Sequence, residues 1–245
     1  MSETLPEPSP RHLIFIHGAG VGPWMWRRQT EHFGGRFRVH TPTLPGHELH
    51  SRDAYTTHAD AARSIADQVG LPELEGEVTV IGFSLGGQVA IELASTFPGI
   101  VDRTVIVSSL VRPWRAAALW VRLARLAMPL AQNERFARAQ ATALHLPDED
   151  FDAYFALSSS ISKQTFGAVL SGNFTFAPPA AFLRSTRPVL LIAGSTEQRT
   201  LIRNLERLGD SLPVAEFTLI DGVGHGAPLA TAQIFNDRVE AWLAE

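Results

Sequence analysis

The pentapeptide Gly82-Phe83-Ser84-Leu85-Gly86 sets a serine between two glycines at the end of an apolar run. Packing does not ask for a hydroxyl there, but nucleophilic chemistry does. A serine attacks a carbonyl once a neighbouring base takes its proton. Val78 to Phe83 is β-branched and aromatic, as a buried strand should be. From Gln88 to Phe97 the composition turns helical, with Val89, Leu93 and Phe97 at four-residue steps, and Pro98-Gly99 stops the pattern. A strand, a sharp turn and a helix would hold the Ser84 hydroxyl above the sheet, with the Leu85 N–H aimed at the same space. The plainer alternative is a Gly-Ser turn that only connects strand to helix.

Such a serine needs a base with a pKa near neutrality, and histidine is the natural choice. Of the nine histidines, His225 lies in LIDGVGHGAPL, just after the last apolar run. Gly222, Gly224 and Gly226 surround it, so the loop can deliver an imidazole to Ser84 without backbone clashes. A solvated loop histidine is the competing reading. His58 and His145 sit on helical segments and read as surface residues. His47 and His50 stand three apart in PGHELHS, but no carboxylate pattern supports a metal pair. A tetrahedral intermediate also needs donors for its oxyanion. FIHGAGVGPW offers a second glycine-rich loop, and the Ala19 N–H with the Leu85 N–H is the expected pair. His17 and Gly18 would shape that loop rather than react. Otherwise it is simply a turn into the helix that follows.

These residues sit in a chain of 245 residues, enough for one α/β domain with an inserted subdomain. A net charge of −4 gives no global positive field, so nucleic acid is not an expected partner. The absence of cysteine excludes disulfides and thiolate metal sites. The opening MSETLPEPSP is acidic and proline-rich and reads as neither a signal peptide nor a membrane span. No apolar run approaches the ~20 residues of a span. Cytoplasmic location is the default, with no stable membrane association, and a homodimer stays open.

Six apolar runs recur: Leu13–Gly18, Phe37–Thr43, Val78–Ser84, Arg103–Ser109, Pro188–Ser195 and Ala215–Gly222. Most are continuous rather than alternating, which suits strands covered on both faces. Helical segments at Trp24–Phe33, Thr56–Val69, Glu197–Leu208 and Thr231–Leu243 lie between or after them. The alternation predicts a doubly wound, mostly parallel sheet of about six strands whose C-terminal ends share one edge. One interval breaks it. Residues 111–178 are helical in pattern and carry no strand signal, so they read as a cap inserted between core segments 1–110 and 179–245. Helices packed on the flank of the sheet are the alternative. The cap carries Arg112, Arg115, Arg122, Arg125, Arg135 and Arg138, with Trp114, Leu119, Trp120, Leu123, Leu126 and Leu130 between them. That pattern suits either a basic amphipathic surface or a lid with an apolar inner face and solvated arginines.

HGAG, GFSLGG and GVGHG, in this order, resemble the α/β-hydrolase fold superfamily, in particular its serine hydrolases and esterases. TLPGHELHS is similar to the loop that in many members reads P-G-H-G-x-S. The likeness runs from Leu13 to Leu243. It implies Ser84 as nucleophile, His225 as base and a helical lid after the sixth core strand. The chain departs from the family pattern in three places. Glu197 stands after LLIAG where an Asp is usual, either as the acid of a Ser-His-acid triad or as a helix-capping residue. Glu48 replaces a glycine in the P-G-H-G-x-S loop. The family's opening pair of strands has little room before Leu13.

The expectation is therefore a serine hydrolase that cleaves a small carboxylic ester, thioester or lactone through an acyl-enzyme, with no cofactor. Its substrate would carry an apolar acyl or aromatic part. An aminopeptidase variant would need Glu149, Asp150 or Asp152 to hold an amine, although helix-start acids are the simpler account. Two other classes stay open: a lyase of the hydroxynitrile-lyase type on the same triad, and a small-molecule receptor on a hydrolase scaffold.

Overall fold

The computed structural model describes residues 9–49, 51, 53–114, 117, 119, 121–122 and 133–245. Its strands are β1 Arg11–Ile16, β2 Arg38–His40, β3 Glu77–Phe83, β4 Arg103–Val107, β5 Val189–Gly194 and β6 Ala215–Ile220. They form one sheet in the order β2-β1-β3-β4-β5-β6, with every neighbouring pair parallel. The doubly wound α/β architecture is as expected. β2 is shorter than its apolar run. It is an edge strand, and Pro42 has no N–H to give to a ladder.

Successive strand residues point to opposite faces, and each face has its own core. Leu13, Phe15, Ile81, Phe83 and Val105 pack against Trp26, Phe33, Phe235 and Trp242. Ile14, Ile16, Val78 and Val80 pack on the other side against Ala62, Ile65, Val89 and Leu93. Ile106 and Leu191 meet Leu201, Leu205 and Leu208. In chain order the described helices before β5 are α1 Arg27–Phe33, α2 His58–Val69 and α3 Leu85–Thr96, then α4 Glu134–Ala143, α5 Phe151–Ser160, α6 Lys163–Thr175 and α7 Ala180–Leu183. After β5 come α8 Arg199–Ser211, α9 Ala227–Ala230 and α10 Ala232–Leu243. The segment expected as one helix from Trp24 divides into a 3-10 turn, Pro23–Trp26, and α1. Thr57 caps α2 by accepting the Asp60 N–H.

Register decides where the site falls. Ile16 pairs with Gly82, Phe83 with Val107, and Val107 with Ile192. His17, Ser84 and Ser108 therefore leave the sheet side by side at one edge. The chain runs from β1 out to β2 and then back to β3, so the strand order reverses between β1 and β3. Crevices open at such switch points. Between β4 and β5 the described residues hold helices and no strand. Arg115, Trp120, Leu123, Arg125, Leu126 and Leu130 lie outside the described residues. None of the described helices is long and apolar enough to cross a membrane.

Candidate active site

Ser84 sits between β3 and α3 at φ 54° and ψ −115°, a conformation that costs a residue with a Cβ roughly 1–3 kcal/mol. Hydrogen bonds offset the cost. Ser84 donates its N–H to the Val107 carbonyl at 2.8 Å, and its own carbonyl accepts from the Gly87 N–H at 3.1 Å and the Ser109 hydroxyl at 2.8 Å. The flanking glycines are needed because backbones meet there. A Cβ on Gly86 would stand 2.2 Å from the Ile16 carbonyl oxygen and 2.5 Å from that of His17. One on Gly82 would stand 2.2 Å from the Gly86 carbonyl oxygen. The loop after β1 is thereby pressed against the start of α3.

That contact brings the expected oxyanion donors onto adjacent turns. Leu85 opens α3, and the first N–H groups of a helix have no partner within it. Ala19 lies in the exposed turn after Gly18. His17 is buried beneath the turn. Its Nδ1 faces the Gly18 carbonyl at 2.9 Å, and its Nε2 accepts the Leu44 N–H at 3.1 Å. Burial, reinforced by His47, holds the His17 pKa down at about 3, so the ring is a neutral brace.

His225 follows β6 and reaches back to Ser84. Its Nε2 is 3.1 Å from the Ser84 Oγ, and its Nδ1 is 3.1 Å from Oε2 of Glu197. The imidazole is about one-third exposed, whereas the Glu197 side chain is 3% exposed. Glu197 does not cap α8, which starts at Arg199. Its Oε1 instead accepts the Gly194 N–H at 3.2 Å and the Ser108 hydroxyl. Burial pushes the Glu197 carboxyl up, but the bond to His225 and its charge, with Ser108 and Gly194, bring it below its ordinary value. The carboxylate is thus ionised under the imidazole. The acid and base loops are also stapled together: Ser195 N–H to Ile220 carbonyl at 2.9 Å, Thr196 N–H to Val223 carbonyl at 3.0 Å, and Gly222 N–H to the Ser195 hydroxyl at 2.9 Å.

A hydroxyl, an imidazole and an ionised carboxylate in line can carry nucleophilic acyl transfer. Among the described residues no group of three or more His, Cys, Asp or Glu is arranged to hold a metal. His47 turns its Nδ1 to the Pro45 carbonyl at 3.1 Å, and His50 lies outside the described residues.

The alpha/beta hydrolase family matches residues 13–238. The chain belongs to the alpha/beta hydrolase family. As an alpha/beta hydrolase it is an enzyme of the hydrolase class. It is similar to the pimeloyl-(acyl-carrier protein) methyl ester esterase of Aromatoleum aromaticum, at 30% identity over 231 residues, 87% of this chain and 90% of that one. The protein of the same name from Nitrosomonas europaea is 32% identical over 241 residues, 91% of this chain and 92% of that one. Among solved structures, an esterase from Exiguobacterium antarcticum superposes with a TM-score of 0.82 at 15% identity, covering 96% of this chain and 92% of that one.

For this hydrolase, sequence reasoning missed several residues. Ser108 bonds Glu197, and Ser109 bonds the Ser84 carbonyl. His58 is a correction. It is not a surface residue but is buried, with Nε2 2.6 Å from the Gln88 Oε1 and its ring stacked on Phe176. The amphipathic helix that carries it turns His58 inward together with Ala61, Ala62 and Ile65. His145 is exposed as expected, in the turn after α4. Of the three carboxylates weighed for an amine site, two pair with Arg27, Glu149 at 2.8 Å and Asp150 at 3.1 Å, and Asp152 is exposed. Of the arginines in 111–178, Arg138 pairs with Glu134 at 2.7 Å and lies 4.0 Å over the Phe151 ring. Arg112, Arg122 and Arg135 face solvent. Glu48 is exposed and its φ is not positive, so that position does not require glycine.

Proposed function

We propose that this chain hydrolyses small carboxylic esters through an acyl-enzyme on Ser84. One observation carries the reading: the unbroken line from Ser84 Oγ through both nitrogens of His225 to the buried Glu197 carboxylate. Glu197 accepts the Nδ1–H and so leaves the Nε2 lone pair facing the serine. His225 takes the Ser84 proton as Oγ attacks the ester carbonyl. The Ala19 and Leu85 N–H groups receive the oxyanion. His225 then returns the proton to the departing alkoxide, and a water deacylates Ser84 by the same path in reverse.

The insertion 111–178 is read as a cap over this edge. In support, a Cβ on Gly226, next to His225, would meet the Leu144 carbonyl at 1.8 Å, and one on Gly22 would meet Leu157 at 3.3 Å. Arg27 ties the insertion to α1 through Glu149 and Asp150. The curated relatives are named for a methyl ester, so methyl esters of acids with an apolar chain are the first physiological candidates.

The test is hydrolysis of a chain-length series of p-nitrophenyl esters by wild type and Ser84→Ala. Wild type is expected to turn over, with Ser84→Ala lower by 10⁴-fold or more, on the order seen when a serine nucleophile is removed. Equal turnover by both would remove Ser84 from the reaction. Turnover of a cyanohydrin without ester turnover would move the chain to the lyase class. Unchanged ligand bound stoichiometrically would make it a receptor.

A further inference from the structure

We propose that Ser108 is a positioning residue whose hydroxyl fixes the Glu197 carboxylate against His225; the proposal rests on the triad reading above. Ser108 is the first residue after β4, and it is buried. It lies 89 positions from Glu197 in the chain, yet its Oγ donates to Oε1 of that residue. The Gly194 N–H reaches the same oxygen at 3.2 Å. Oε1 is therefore occupied by two donors, which leaves Oε2 for the His225 Nδ1–H.

A glutamate needs such a tether more than an aspartate does. Its longer side chain has one more torsion, and the last torsion is broad and roughly two-fold. Gly194 alone, at 3.2 Å, is a long contact and leaves the carboxylate free to swing about it. The Ser108 hydroxyl supplies a second fixed point from a different strand, with the charge-assisted strength of a donor to an ionised carboxylate.

The backbone at Ser108 points the same way. Its φ is +51°, in the left-handed region that favours glycine, while its N–H is fixed to the Ile192 carbonyl at 2.8 Å. Glycine would relieve that strain but would remove the hydroxyl. A strained residue with a fully used side chain is the signature of a position kept for its function.

The experiment compares wild type, Ser84→Ala, Ser108→Ala, Ser108→Gly, Glu197→Ala and the double variant Ser108→Ala/Glu197→Ala. The substrate is the p-nitrophenyl ester that wild type turns over best. Where turnover is too slow, sulfonylation of Ser84 by phenylmethylsulfonyl fluoride, followed by mass spectrometry, gives the rate. Ser108→Ala is expected to lower kcat about 10-fold or more with KM within about twofold, the effect of losing one hydrogen bond to a charged group. Ser108→Gly is expected to lose as much kcat while its Tm stays at or above that of Ser108→Ala. A merely structural serine would instead tolerate glycine best. With Glu197 already removed, Ser108→Ala is expected to change kcat by less than about twofold, because the pair acts as one unit.

Wild-type kcat in Ser108→Ala, with Ser84→Ala and Glu197→Ala both impaired, overturns the positioning role and leaves the triad reading intact. An undiminished Ser108→Ala loss in the Glu197→Ala background overturns it as well, since the effect then bypasses Glu197. Wild-type rates in Ser84→Ala and Glu197→Ala would bring down the triad reading and this proposal together.

Discussion

The two flanks of Ser84 are built by different means. On the β1 side the parts are held by backbone: Gly86 lies on the Ile16 and His17 carbonyls, and the Ser84 hydroxyl is one torsion from a main chain that is itself hydrogen-bonded. On the β5–β6 side the decisive atom, a Glu197 carboxylate oxygen, sits at the end of a long side chain and is held by other side chains and by one N–H. The flanks also carry buried titratable groups with opposite fates. Burial keeps His17 neutral, whereas donors outweigh burial and keep Glu197 ionised. A backbone-held part tolerates almost no added volume. A side-chain-held part tolerates volume but depends on each donor.

The side-chain-held flank is most exposed to a change that neutralises the Glu197 carboxylate without changing its size. Glu197→Gln keeps the packing but presents His225 with an amide that can donate as well as accept. The Nε2 lone pair is then no longer reserved for Ser84. We expect kcat to fall by about 10³–10⁴-fold, as when the acid of such a triad becomes an amide. Steady-state kinetics check this. A kcat near that of wild type would mean that the acid lies elsewhere and that the β5–β6 flank is scaffold.

On the backbone-held flank the corresponding probe adds a single methyl. The atoms that a Cβ on Gly86 would strike belong to the Ile16 and His17 main-chain carbonyls, which cannot swing away like the end of a side chain. Gly86→Ala must therefore shift β1 against α3. We expect a stability loss of about 3 kcal/mol or more, at or above the upper end of overpacking costs, together with a large loss of activity. Gly99→Ala is the control, since nothing lies within 4 Å of its added Cβ. Urea denaturation of both variants measures the difference. Equal, small losses would show that the loop after β1 is softer than the contacts indicate.

The same contrast explains what could be read from the chain. Where backbones cross, only glycine fits, so Gly82 and Gly86 mark the turn in the sequence itself. The continuous apolar runs announce strands with a core on each face, and all six appear in the sheet. The Ser108 contact leaves no such trace. A serine after a strand is common, and its partner stands far away in the chain. His58 was misread because a helix periodicity tells which residues share a face but not whether a histidine on that face finds a buried partner. Gln88, on α3, supplies one. The split of Trp24–Phe33 into a 3-10 turn and a helix is a boundary effect that apolar spacing does not resolve.

The smallest effect separates the two buried titratable groups by pH. A folded pKa for His17 of about 3 lies below the ordinary histidine value of 6.5. Between those values the unfolded chain binds a proton that the folded chain refuses, so stability falls as pH drops below about 6.5 and continues to fall toward 3. The slope is at most about 1.4 kcal/mol per pH unit for one histidine. The unfolded histidine is only half protonated at pH 6.5, so from there to pH 5 the loss is about 1.6 kcal/mol. His47 and His58, also held below the usual value by burial, add to it in the same direction. Glu197 acts in another window. Its folded pKa lies below the ordinary 4.5, so its contribution is present above that value and is lost only as pH falls further, through the folded pKa. Urea denaturation of wild type and His17→Asn at several pH values between 5 and 7.5 tests the assignment. His17→Asn removes the titrating ring while its amide can still donate to the Gly18 carbonyl. Its stability is expected to depend less steeply on pH by up to one proton, whatever its absolute stability. An unchanged slope would mean that His17 takes up a proton in the folded chain, and the brace beneath the Ala19 turn would then be charged rather than neutral.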